Sequence, residues 1–94
     1  MGNRKQPFGY RMTLGEITIQ PEEAELVQFI FQGYSTGATL GELTKALCRQ
    51  EIPYYEGRTW NKNMVSRILE DGRYVGENGY PVLIEPEQLR AAAK

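Results

Sequence analysis

Asn63 and Arg67 stand four residues apart in the stretch "TWNKNMVSRILEDGRYVG", residues 59–76, where an indole precedes a short helical pattern and an aromatic segment follows it. Residues four apart share one face of a helix, and at about 1.5 Å of rise per residue they lie roughly 6 Å apart along its axis. Their chemistry suits base edges. A guanidinium can donate two bonds to guanine, and a carboxamide can exchange two with adenine in a major groove. Lys62 and Ser66 run along one flank of the same face. A plain solvated surface accounts for these residues too, because Arg67 and Glu70 are i and i+3, a spacing at which opposite charges pair in water.

The remaining basic groups are equally two-sided. Arg58 and Arg73 flank the helical stretch and could hold phosphates, or simply be hydrated. Arg4 and Lys5, next to Pro7, could form an arm that follows a groove, although charged chain ends are common without any such role. Trp60, directly before the helix, reads as a core plug rather than a stacking platform. Tyr54 and Tyr55 fall in a loop and fit either use.

These residues need elements to position them. Val65, Ile68 and Leu69 define the inner side of the third helix, with Asn61 as its N-cap and an end before Gly72. Upstream, "TLGE" at residues 39–42 is a capping box for a second helix over about 40–50, with Leu40, Leu43 and Leu47 on its inner side. The two make a helix-turn-helix-like pair, although the connection over about 51–60 is longer than the usual tight turn. A first helix spans about 21–35. Pro21 and the glutamates after it suit the N-terminal turn, and Gly37 is its left-handed cap.

The first helix has an apolar stripe of Ala24, Leu26, Val27, Ile30, Phe31 and Tyr34, with Glu22, Glu25, Gln28 and Gln32 opposite. Phe29 falls outside the stripe, so either a neighbouring element covers it or it contacts another part of a larger protein. Residues 8–20 alternate as a β-hairpin about Leu14-Gly15, and Asn78-Gly79 between apolar runs signals a second hairpin. The expected fold is α+β: a small helical core flanked by an N-terminal and a C-terminal β-hairpin. Residues 1–7 form a linker arm, 8–84 the folded core, and 85–94 the start of a further helix that is cut short.

Bulk properties exclude several classes. Ninety-four residues, 40% apolar and 24% charged, suit one globular domain. One cysteine, Cys48, and no histidine rule out an internal disulfide and a zinc cluster, and no cofactor is expected. No apolar run approaches the roughly 18 residues of a membrane span, and the start lacks an apolar signal region, so a cytoplasmic setting and no membrane partner are expected. Without histidine, and with carboxylates mostly on helix starts and turns, no nucleophile and base can be paired. The chain is therefore not expected to be an enzyme by itself.

Net charge is −1, but it is unevenly spread: Glu22, Glu23 and Glu25 stand unopposed in residues 21–34, while 53–75 carry four basic against three acidic groups. Few phosphate contacts follow. Duplex binding by the isolated chain should be weak, with Kd on the order of 10⁻⁴ to 10⁻⁶ M.

The ordered set "PFGYRM", then "GEITIQPEEAELVQFIFQGYSTGATLGELTKAL", then "TWNKNMVSRILEDGRYVG" resembles the recombinase domain of large serine recombinases of the phage integrase and transposon type, over roughly residues 7–84. The resemblance implies a module that follows a catalytic domain and binds part of an attachment half-site in double-stranded DNA, with a helix in the major groove and the preceding linker on the backbone or minor groove. By position that helix is the third, which makes Lys62, Asn63, Ser66 and Arg67 the groove candidates, with Arg58, Arg73, Arg4 and Lys5 around them. The family's catalytic serine lies in a domain outside these residues; Ser35 and Ser66 lack the arginine cluster that such phosphoryl transfer needs. A zinc ribbon that typically follows is also outside them. Catalytic and zinc-ribbon domains of a homo-oligomeric parent are thus the implied partners besides DNA. The alternative from another class is a protein-interaction module that orients the catalytic domain or a partner subunit through the acidic first helix and Phe29.

Overall fold

Leu14 and Gly15 occupy the left-handed region, at φ 52° and 82°, the backbone that two-residue hairpin turns require. They join β1 (Tyr10–Thr13) to β2 (Glu16–Ile19) in an antiparallel pair with Tyr10 opposite Ile19 and Met12 opposite Ile17. The computed structural model describes residues 7–50, 52–54 and 59–92. Below the hairpin Gln20 N–H donates to the Gly9 carbonyl at 2.9 Å. Gly9 is itself at φ 104°, and a Cβ there would lie 3.1 Å from Leu83 Cδ1 and 3.3 Å from Val27 Cγ2. No side chain fits without displacing the core.

The first helix, α1 (Pro21–Ser35), begins on proline with Glu22 and Glu23 in its first turn. Glu23 also accepts the Gly9 N–H at 2.9 Å, tying the hairpin base to the helix start. Ala24, Leu26, Val27, Ile30 and Phe31 are buried as their periodicity requires. At the far end Gly37 N–H donates to the Tyr34 carbonyl and Ala38 N–H to the Gly33 carbonyl, a paired closure that satisfies two orphan carbonyls and depends on Gly37 at φ 110°. Gly33 permits the next helix to approach, because a Cβ there would fall 2.8 Å from Leu43 Cδ2.

The second helix, α2 (Leu40–Cys48), carries the full capping box: Glu42 N–H donates to Thr39 Oγ1 at 3.1 Å and Thr39 N–H to Glu42 Oε1 at 2.9 Å. In α3 (Lys62–Leu69) Asn61 Oδ1 accepts the Met64 N–H at 3.0 Å. The helices pack mutually, α2 on α3 and α1 on both, around Phe8, Tyr10, Val27, Ile30, Phe31, Leu43, Leu47, Trp60, Val65 and Tyr74. Trp60 plugs this core, with its indole N–H donating to the Ile52 carbonyl at 3.1 Å. The fold class is α+β, with a hairpin and four helices.

The C-terminal hairpin is not formed. Residues Gly72–Val75 wind into a 3₁₀ turn, and Glu77–Gly79 form a second short 3₁₀ stretch broken at Asn78. The turn chemistry that Asn78-Gly79 signals is nevertheless present, since both are left-handed, at φ 60° and 81°, and Tyr80 N–H closes on the Glu77 carbonyl. What fails is the flanks: Gly76 sits at φ 105°, outside the strand region, and Pro81 has no N–H to give a ladder. Instead Leu83 and Ile84 N–H groups both donate to the Tyr74 carbonyl, at 2.8 and 3.0 Å. The last helix, α4 (Pro86–Ala92), packs on α1.

Two tyrosines pin this irregular segment. Tyr74 donates to the Phe8 carbonyl, and Tyr10 donates to the Pro81 carbonyl with the Arg73 carbonyl 3.3 Å away. Burial, then the charge of Asp71, pushes the Tyr10 phenol up to about 12. Between pH 10 and 12 the unfolded chain loses this proton while the folded chain keeps it, so rising pH favours unfolding. Denaturant titration of Tyr10→Phe at pH 7 is expected to show a loss of about 1–3 kcal/mol, because buried carbonyls lose their donor. The same titrations above pH 10 should show a smaller further loss for the variant than for the native chain.

Candidate nucleic-acid interface

Rotation of α3 about its axis is fixed by four buried residues, Met64, Val65, Ile68 and Leu69. Because successive residues turn by about 100°, the opposite side falls to Lys62, Asn63, Ser66 and Arg67. Lys62, Asn63 and Arg67 are exposed, and Ser66 is half-buried. The helix carries two cations and no acid. Its entry is held by an aromatic cluster in which Phe8 stacks on Tyr54 at 5.7 Å between ring centroids, and Trp60 meets both edge-on at 4.9 and 5.3 Å.

The four α3 residues differ in their surroundings. Lys62 lays its stem toward the start of α2, with Cε 3.4 Å from where a Cβ at Gly41 would be. Asn63 has no hydrogen-bond partner among the described residues. Arg67 is likewise without an ion pair there; the surface pair with Glu70 that the i, i+3 spacing allows does not form among them. Arg67 also borders a cavity of about 150 Å³ whose walls include Tyr54, Asp71, Arg73 and Tyr74.

Arg73 is tethered to a carboxylate. Its Nε and Nη2 donate to the two oxygens of Asp71 at 2.9 and 2.8 Å, and the guanidinium lies over the Tyr80 ring, 5.5 Å from its centroid. The hydrogen bond to Asp71 raises the Arg73 pKa further, outweighing the opposing effect of burial. Asp71 Oδ1 also accepts the Arg73 backbone N–H at 3.0 Å, capping the 3₁₀ turn. Most of the charge of Arg73 is therefore compensated locally. Sequence counting registered Asp71 only as one negative charge; the signal for its second role is its position one residue before Gly72, where an aspartate caps a turn. Arg4, Lys5 and Arg58 lie outside the described residues, as does Tyr55.

The acidic side of α1 is distinct from this face. Glu22 and Glu25 are exposed, and Phe29 is 43% exposed, so among the described residues no element covers it fully. Cys48 is exposed, with its thiol 3.7 Å from the Trp60 carbonyl. Among the described residues no cluster of histidine, cysteine or carboxylate side chains could hold a metal, and no helix is long and apolar enough to cross a membrane.

The cap at Asn61 sets where α3 starts. Thermal and denaturant unfolding of Asn61→Ala should show a loss of about 0.5–2 kcal/mol, whereas Asn61→Asp should stay within a few tenths of the native chain.

Comparison with known proteins agrees with this architecture. A family model described as Recombinase matches residues 21–87. Among solved structures, a crystal structure of an LSR–DNA complex aligns with TM-score 0.75 at 17% identity, over 99% of this chain and 32% of the other. A structure from work on the sequence requirements of the Listeria innocua prophage attP site aligns with TM-score 0.73 at 18% identity, over 97% of this chain and 42% of the other. The chain thus spans well under half of the solved chains it matches. No curated protein matches it by sequence. With the family model extending over well more than half of its residues, the chain belongs to the Recombinase family, the one its residue pattern resembles.

Proposed function

We propose that this chain is the DNA-binding module of a site-specific serine recombinase, which recognises part of an attachment half-site with α3 in the major groove. The observation that carries the reading is the pair Asn63 and Arg67. Both project from a helix locked to the core on its other side, about one turn apart, and neither is committed to a described partner. Family membership supports the recombination context, and a similar fold occurs in a chain solved as an LSR–DNA complex. Lys62 and Ser66 complete the face. Arg58, Arg4 and Lys5 are proposed as backbone contacts on sequence position alone.

Strand cleavage belongs to a catalytic domain elsewhere in the parent protein, and a zinc ribbon is the other proposed neighbour. With a net charge of −1 the isolated chain releases few counterions on binding. Useful affinity comes from tethering to those domains and to a second subunit of a homo-oligomer, which raises effective concentration without new contacts. A cytoplasmic location fits such a protein. The exposed Phe29 on the acidic side of α1 favours a second reading, in which that surface orients the catalytic domain or a partner subunit. Phe29→Ser would then impair assembly of the full-length protein and leave its DNA affinity intact.

Selection from a random-sequence duplex pool at low salt tests the leading reading. The native chain is expected to enrich a shared sequence, each good base contact being worth about 1–3 kcal/mol of discrimination. The chain with Asn63→Ala and Arg67→Ala combined should enrich none. An unchanged enriched sequence in that double variant would remove α3 as the reader.

A further inference from the structure

Arg67 leans from the outer face of α3 toward the cavity of about 150 Å³ that it shares with Asp71 and Arg73. We propose that this cavity seats one backbone phosphodiester of the bound duplex, held between the Arg67 and Arg73 guanidiniums, so that Arg67 fixes the register of α3 and Asn63 is left to read a base. The assignment rests on the DNA-binding reading above and sharpens it.

Charge decides the class of ligand. Among the described residues the cavity walls carry two guanidiniums and one carboxylate, a net of +1, beside Pro7, Phe8, Tyr54, Ile68 and Tyr74, which are uncharged at neutral pH. The negative end of α3 lies nearby and contributes about half a unit of opposing charge, which leaves the site cationic.

Donor geometry decides between phosphate and base. Asp71 occupies Nε and Nη2 of Arg73, and a further side-chain bond to Tyr80 helps to fix the guanidinium, so its ordering cost is already met before a ligand arrives. Arg67 brings a second guanidinium without a described partner to the same cavity. Two guanidiniums converging on one cavity suit an anion with several acceptor oxygens. A guanine edge in a major groove asks for one guanidinium extended clear of the helix surface instead.

A neutralisation scan tests this directly. Duplexes recovered by the native chain are remade with one phosphate at a time replaced by an uncharged methylphosphonate, and affinities are measured across a salt series with each protein variant confirmed folded by circular dichroism. One position is expected at which the replacement costs the native chain about tenfold or more and costs Arg67→Ala nothing further. Arg67→Ala should weaken all duplexes by a common factor, keep the base preference and make the salt slope shallower by about 1. Asn63→Ala should flatten the preference at one base pair and keep the slope. Asp71→Asn, which removes the opposing charge but keeps an acceptor for Arg73, should tighten every duplex. If Arg67→Ala flattens preference at one base pair while every methylphosphonate cost persists, Arg67 reads a base and the phosphate assignment fails, although DNA binding stands. If the native chain recovers no duplex even at low salt, the DNA-binding reading fails and takes the assignment with it.

Discussion

Everything about the proposed face of α3 depends on the burial of Val65, Ile68 and Leu69, which fixes how the helix is rotated. A helix of this length has little stability alone and takes its orientation from the apolar side that it buries. Fixing that side against α2 and α1 leaves Asn63 and Arg67 only the solvent side. Trp60, held by Phe8 and Tyr54, and the Asn61 cap set where the helix begins, and burying the next residues along instead would turn the outer face by about 100°. The proposed surface is thus a consequence of core packing on the opposite side of the same eight residues.

Electrostatics places limits on that surface. Acidic residues gather at the start of α1, and α3 carries none. Arg73 belongs mainly to the framework, because Asp71 compensates its charge and Tyr80 supports its plane. A module with a net charge of −1 gains little from nonspecific attraction to phosphates, and in the proposed reading it contributes discrimination more than affinity.

Where local rules governed the outcome, the sequence was informative. Pro21, the Thr39–Glu42 box, Asn61 and Gly37 each act within a few residues, and each takes the helix-end position that its type predicts. Helical periodicity identified the buried sides of all three main helices for the same reason. The C-terminal hairpin shows the limit of local evidence: Asn78-Gly79 turns as its chemistry requires, but pairing of the flanks was decided by Gly76, by Pro81 and by the distant Tyr74 carbonyl that claims Leu83 and Ile84. Phe29 stays two-sided in the sequence, and the Asp71–Arg73 pair goes unmarked there, because coverage and charge pairing are tertiary facts. Of the site, Lys62, Asn63, Ser66 and Arg67 share a face as their spacing implies, while the cavity beside Arg67 joins residues as distant as Pro7 and Tyr74 and leaves no local trace.

The most direct test is an amide-shift titration of the labelled chain with duplex DNA at low salt. Shifts concentrated on Lys62, Asn63, Ser66 and Arg67, with the exposed side of α1 from Glu22 to Gln32 silent, are the result this account predicts. Shifts confined to α1, with α3 unmoved at saturation, would contradict it.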